Sequence, residues 1–174
     1  MIDKSTIEAA VEARRGEVTA LTRDLIRIPT LNPPGEKYLD ICENLAMRLD
    51  ARGFATEIVR ATGAPADSDS HPRWNLVARR EGMSSGDCVH FNSHHDVVAV
   101  GHGWTVDPFG GEVRDGRVYG RGACDMKGGL AASVIAAEAF IEAGPDYSGA
   151  IEISATADEE SGGFGGVAYL AEQG

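Results

Sequence analysis

Three groups of residues that could bind a metal or move a proton lie far apart in the sequence. The first is His94, His95 and Asp96, which end an apolar run in "FNSHHDVV". In an extended chain, residues two apart face the same side, so His94 and Asp96 would lie together while His95 points away. A carboxylate beside an imidazole commonly fixes the tautomer of a metal-binding histidine. Taken alone, this pair is more often a polar strand end than a metal site.

Two acidic groups occupy comparable positions further along the chain. Asp125 lies in the glycine-flanked segment "GRGACDMKGG" before a predicted helix, and Glu159 and Glu160 follow a predicted strand. Because open α/β sheets bind ligands beyond the carboxyl ends of their strands, we expect the three groups to converge. One histidine and several carboxylates suit zinc, cobalt or manganese. The alternative is that these acids only stabilise helix N-termini.

The elements that must position these residues follow an α/β pattern. Apolar spacing distinguishes helices from strands, and Asp115-Gly116 is a strong hairpin signal. The predicted elements are one long helix from Ser5 to Ile28, a helix over 36–52, strands at 55–60, 75–79 and 88–92, the hairpin, a helix over 126–143, a strand over 149–156 and a short helical tail. This order predicts a layered α/β domain.

Composition limits the class of protein. A chain of 174 residues, 43% of them hydrophobic, predicts a single domain with one core. The net charge of -11 disfavours nucleic acid and anionic membranes as partners. The N-terminal segment "MIDKSTIEAAVEARR" has no unbroken apolar stretch, so neither a signal peptide nor a membrane span is predicted. Three cysteines without CxxC spacing favour the reducing cytoplasm over a disulfide framework.

Competing catalytic motifs are weaker. The segment "GMSSG" (82–86) matches the nucleophile pattern GxSxG, but it is predicted to lie between two strands, and not at a strand-to-helix turn. Cys124 is a candidate thiol nucleophile, although small apolar packing beside Ala123 is the favoured interpretation. The segment "GRGACD" lacks the third glycine of a dinucleotide-binding fingerprint. A metal centre is therefore the leading hypothesis.

Three segments resemble the signature segments of the M20 metallopeptidase family, which includes acetylornithine deacetylase, succinyl-diaminopimelate desuccinylase, aminoacylase and glutamate carboxypeptidase. They are "SHHDVV", "GWTVDPFGGEVRDGRVYGRGACDMKGGLAA" and "SATADEESGGFGG", in the order and spacing of the family. The resemblance extends from "LIRIPTLNPPGE" to the last residue. It implies a three-layer α/β/α catalytic domain of the zinc-exopeptidase type.

The resemblance also implies a role for each site residue. Two divalent ions, zinc first and cobalt or manganese as alternatives, would be bridged by Asp125, with His94 on one ion and Glu160 on the other. Asp96 would orient His94. Glu159 would be the general base that takes a proton from the water attacking an amide carbonyl. The family further implies a cis peptide bond after Asp125.

The sequence departs from the family in length. Relatives carry another acidic ligand, a lid domain and a late histidine ligand that are not found here. Residues 1–174 are therefore predicted to be the N-terminal portion of a metallohydrolase catalytic domain, truncated and without the lid. Each ion would have two protein ligands where catalytic zinc usually takes three, which predicts reduced metal affinity. An uncovered sheet edge predicts self-association into a homo-oligomer.

Two classes of function follow from these observations. The first hypothesis is metal-dependent hydrolysis of the amide bond of an N-acyl amino acid, of the deacetylase or desuccinylase type, with dipeptidase or carboxypeptidase activity as the alternative within the family. The second is a catalytically inactive fragment that acts as an assembly or binding module. The missing ligands add weight to the second hypothesis, and zinc titration combined with a deacylation assay distinguishes the two.

Overall fold

A computed structural model describes residues 3 to 173. Its elements, in chain order, are helices α1 (Lys4–Ala13), α2 (Arg15–Ile26) and α3 (Tyr38–Asp50), strands β1 (Ala55–Arg60), β2 (Trp74–Glu81), β3 (Ser84–His94), β4 (Glu112–Arg114) and β5 (Arg117–Tyr119), helix α4 (Gly128–Ala143), strand β6 (Ser148–Thr156) and helix α5 (Val167–Gln173). The predicted α/β class is confirmed. No helix among these is long and apolar enough to cross a membrane.

The main sheet has four strands in the order β1-β2-β6-β3. Strand β2 runs antiparallel to both β1 and β6, whereas β3 and β6 are parallel, with His94 opposite Thr156 at their carboxyl ends. Helix α4 lies between β3 and β6 in the chain and packs against both. This crossover brings the end of β3, the end of β6 and the start of α4 to one edge of the sheet.

The core packs between one face of this sheet and the helices. Alternate residues of β2 and β6, such as Leu76, Ala78 and Ile153, join one buried cluster with Leu25 of α2, Leu45 of α3 and Leu130 of α4. Asn75 faces the other way, and its amide donates to the Gly165 carbonyl, just before α5. Helices α2, α3 and α4 therefore cover one face of the sheet, and the segment before α5 contacts a side chain of the other face.

The predicted long first helix is wrong at one point. Arg14 leaves helical geometry, with φ -101° and ψ 10°, and divides the segment into α1 and α2. Its guanidinium is buried against Glu138 and Glu142 of α4, so the break is coupled to a tertiary charge cluster that helical spacing does not encode. The hairpin prediction is confirmed, since Asp115 and Gly116 both have positive φ between β4 and β5.

Candidate metal centre

His94 is the last residue of β3 and lies between two carboxylates. Its Nδ1 is 3.0 Å from the Asp96 carbonyl oxygen and 3.4 Å from Asp96 Oδ1, while its Nε2 is 2.9 Å from Asp125 Oδ1. His95 points away, with Nε2 3.0 Å from the Trp74 carbonyl oxygen. Strand periodicity thus places His94 and Asp96 together, and leaves Nε2 as the ring nitrogen that faces Asp125.

Asp96 is fully buried and joins three parts of the chain. Its carboxylate accepts hydrogen bonds from Asn32 Nδ2 at 2.7 Å and from the backbone N–H groups of Glu159 and Glu160 at 3.2 and 3.3 Å. Burial alone would raise the pKa of Asp96, but the hydrogen bonds with His94 and Asn32 outweigh burial and hold that pKa below its usual value. Asp96 is therefore a buried anion that holds His94 and the glutamates in one network.

Asp125 lies in an irregular turn, Ala123–Lys127, that connects β5 to α4. Gly122 enters this turn with φ 80°, and a Cβ there would lie 2.6 Å from a methyl group of Val97, so a larger residue does not fit. At the other end, the buried Lys127 Nζ donates to the carbonyls of Leu25 and Ile28 at 3.0 and 2.6 Å. The Asp125–Met126 peptide bond is cis, as the resemblance implies.

Glu159 and Glu160 follow β6 in a single turn of 3-10 helix. Glu159 Oε2 is 3.7 Å from His94 Nε2, and 58% of its side-chain surface is exposed. One ligand atom each of His94, Asp125 and Glu160 lies within 4.8 Å of the others. The structure thus brings the three predicted metal ligands together, with the predicted base at their rim.

The charges at this edge are unbalanced. Four carboxylates, those of Asp96, Asp125, Glu159 and Glu160, surround the single imidazole of His94, and no lysine or arginine in residues 3–173 makes an ion pair with them. Burial and then the Asp125 carboxylate raise the pKa of Glu160. Burial disfavours protonation of His94, but hydrogen bonds with Asp96 and Asp125 outweigh it and raise the pKa of His94 to about 9. Nitrogen and carboxylate donors with this excess of negative charge fit a divalent cation.

Asn32 is a site residue that none of the sequence motifs indicates. It lies in the "NPPG" segment, which the sequence predicts only as a turn, yet its amide donates to both Asp96 Oδ2 and Ser161 Oγ, the latter at 3.0 Å. Cis peptide bonds join Asn32 to Pro33 and Pro33 to Pro34. The only local signal was a polar residue directly before two prolines, which does not reveal a contact 64 residues away.

Comparison with known proteins identifies the family. Residues 90–174 match the model of peptidase family M20/M25/M40. A succinyl-diaminopimelate desuccinylase of Cereibacter sphaeroides is 40% identical over 153 residues, which cover 87% of this chain and 37% of that relative. The chain belongs to peptidase family M20. It spans about 37% of the length of this M20 relative.

Solved M20 structures share the fold. A dipeptidase of Saccharomyces cerevisiae superimposes with a TM-score of 0.80 at 21% identity, over 97% of this chain and 36% of that one. A dinuclear metal-binding M20 peptidase of Bacillus subtilis gives a TM-score of 0.59 at 16% identity, over 92% of this chain and 40% of that one. At these identities the likeness shows the fold alone, and it agrees with the predicted class of catalytic domain.

Proposed function

We propose that this chain carries metal ligands and the general base of an M20 hydrolase that removes the acyl group from an N-acyl amino acid. The supporting observation is the convergence of His94, Asp125 and Glu160 within 4.8 Å, with Glu159 beside them. A 40% identical relative named as a succinyl-diaminopimelate desuccinylase favours a succinylated amino acid as the substrate. Dipeptidase or carboxypeptidase activity is the alternative within the family.

The donor set fits two divalent ions, zinc first and cobalt or manganese as alternatives. His94 would hold one ion and Glu160 the other, and Asp125 would be shared between them. When bound, the ions would act as Lewis acids on the amide carbonyl and on the attacking water. Asp96 would keep Nε2 directed at the ion, because the other ring nitrogen of His94 lies against the Asp96 carbonyl and carboxylate.

Glu159 is the residue best placed to move the proton. Its carboxylate is exposed at the rim and 3.7 Å from the ligand nitrogen of His94, so it can reach a water molecule beside the ions. It would take one proton from that water as the oxygen bonds to the acyl carbon, and deliver it to the amine as the C–N bond breaks. The backbone N–H of Glu159 donates a hydrogen bond to the Asp96 carboxylate, which also contacts His94. Asp96 therefore anchors both the base and the histidine.

The experiment is zinc titration by calorimetry, combined with hydrolysis assays on N-succinyl and N-acetyl amino acids and on dipeptides. Zinc binding with release of succinate is the expected result, and hydrolysis of dipeptides alone would instead favour the family alternative. Absence of zinc binding would overturn the metal centre. Zinc binding without any hydrolysis would favour a binding or assembly module. This alternative is supported by the ligand count, because His94, Asp125 and Glu160 supply only two ligands to each ion.

The setting of this activity is also a proposal. Cys42, Cys88 and Cys124 are all free thiols, which fits the cytoplasm. Small N-acyl amino acids or peptides are the proposed substrates, and the net charge of -11 argues against nucleic acid or an anionic membrane surface. Strand β3 is an edge of the described sheet and is largely exposed, which supports self-association as a homo-oligomer.

A further inference from the structure

A buried ion pair lies directly behind the two site glutamates. Arg73 Nε donates to Asp158 Oδ2 at 2.8 Å, and the two side chains are only 2% and 4% exposed. The second oxygen of Asp158 accepts from the Tyr38 hydroxyl at 3.2 Å. Asp158 immediately precedes Glu159, so both of its carboxylate oxygens are held at the point where the chain turns toward the site.

The backbone at Asp158 adopts a conformation that such an anchor can stabilise. Asp158 has φ 60° and ψ 17°, a left-handed conformation that costs a residue other than glycine about 1 kcal/mol. Its carbonyl oxygen accepts from the N–H groups of Ser161 and Gly163 at 3.1 and 2.6 Å, which closes the turn around Glu159 and Glu160. The direction of both glutamates therefore depends on Asp158 remaining in this conformation.

Arg73 also holds the segment that contains Asn32. Its Nη1 donates to the Pro34 carbonyl at 2.7 Å and to the His71 carbonyl at 3.0 Å. Space for the guanidinium exists because Gly35 has no side chain, since a Cβ at that position would overlap Nη1. One buried cation thus connects the loop that supplies Asn32 to Asp96 with the turn that supplies the glutamates.

We propose that Arg73 and Asp158 are positioning residues that hold Glu159 and Glu160 in the orientation needed for catalysis and metal binding. On the side toward Asp96 this turn is held by two backbone hydrogen bonds of 3.2 and 3.3 Å, which are long. The Arg73–Asp158 pair supplies the shorter, charge-assisted contact on the other side. This inference rests on the proposed function, because it assigns the pair to the geometry of that site.

The test compares Arg73→Met with Arg14→Met. Arg14 is also a buried arginine paired with carboxylates, but its partners Glu138 and Glu142 lie in the C-terminal half of α4. Ten residues of helix separate Gly128 from Glu138, or about 15 Å along the axis. We expect Arg73→Met to lower zinc affinity about tenfold or more, as loss of a group supporting a ligand commonly does. Arg14→Met should destabilise the fold and leave zinc affinity within about twofold.

Two further variants keep the test decisive if Arg73→Met does not fold. Tyr38→Phe removes only the hydrogen bond to Asp158 Oδ1 and should give a smaller loss of zinc affinity in the same direction. Arg73→Lys keeps the charge beside Asp158 but loses the forked contacts of the guanidinium, so its zinc affinity should fall by less than about tenfold. Where the unmodified protein hydrolyses substrate, Arg73→Met should lower kcat and leave KM within about twofold.

The outcomes separate the two proposals. Zinc binding by the unmodified chain, with unchanged affinity in folded Arg73→Met and Tyr38→Phe, would overturn the positioning role and leave the proposed function intact. Equal losses of zinc affinity in Arg73→Met and Arg14→Met would also overturn it, because that result reports general destabilisation. Absence of zinc binding by the unmodified chain would overturn both proposals.

Discussion

Two groups of acidic side chains in this protein differ in how their charge is balanced. Glu138 is fully buried on α4, and its carboxylate is met by Arg14 at 3.0 Å, Arg48 at 2.7 Å and Arg52 at 3.6 Å. Among residues 3–173, no lysine or arginine makes an ion pair with the four site carboxylates, which lie around the imidazole of His94: Asp96, Asp125, Glu159 and Glu160. In the described part of the chain, arginines thus accompany the acid that supports the fold, and none pairs with the four carboxylates at the edge where a cation would bind. This difference points to the metal centre more directly than either cluster alone.

The largest expected effect is on catalysis and belongs to Glu159, the proposed general base. Glu159→Gln keeps the size of the side chain and removes its basicity, so hydrolysis of the N-acyl substrate should fall about 10³-fold. Zinc affinity, measured by calorimetry, should stay within about threefold, since Glu159 is not one of the three converging ligands. The matched change Glu160→Gln should weaken zinc binding instead. Full activity in Glu159→Gln would show that another group is the base.

The next largest effect is expected on stability, where Glu138 is paired with arginines. Glu138→Gln would leave three arginines near a neutral amide in a buried position, and we expect the free energy of unfolding in urea to fall by about 3 kcal/mol. Zinc affinity should not change. Glu142→Gln is the control, because Glu142 pairs with the same Arg14 but has 65% of its side-chain surface exposed, so a loss of less than about 1 kcal/mol is expected. An equal loss in both variants would argue against the importance of burial.

Asp125→Asn should weaken zinc binding and leave stability nearly unchanged, the opposite of Glu138→Gln. The Asp125 side chain is 74% exposed, so its free energy of unfolding should change by less than about 0.5 kcal/mol. Its loss as the shared ligand should lower zinc affinity about 100-fold. Asp115→Asn, the same substitution at a hairpin residue with positive φ that asparagine tolerates, should leave zinc binding unchanged. Similar zinc affinity in the two variants would remove Asp125 from the proposed ligand set.

The contrast between these regions also explains what the sequence could predict. The two-residue period of a strand predicts that His94 and Asp96 lie side by side, and the rule that ligands bind beyond strand ends predicts that the acidic groups converge there. The choice of Glu160 over Glu159 as the ligand comes from the family resemblance. Both rules depend on local pattern and chain order.

The contacts of Arg73 and Asn32 cannot be predicted from the period of a strand or from chain order. Arg73 reaches Asp158 across 85 positions of sequence, and Asn32 reaches Asp96 across 64. Their contacts depend on how two irregular loops approach each other after the sheet has formed. The break at Arg14 has the same origin, because it depends on Glu138 and Glu142 in a helix more than 120 positions later.

Asp96 tests whether the two kinds of acid are distinct, because it is buried like Glu138 and belongs to the site like Asp125. In Asp96→Asn the amide retains one acceptor oxygen, and its NH₂ group would face donors from Asn32, Glu159 or Glu160. We expect a loss of about 1–2 kcal/mol in stability and a further loss of about tenfold in zinc affinity. Asp40→Asn on the exposed face of α3 should change neither. A loss of stability without a change in zinc affinity would group Asp96 with Glu138 as a purely structural acid, and would mean that the orientation of His94 is fixed by the strand backbone and not by this carboxylate.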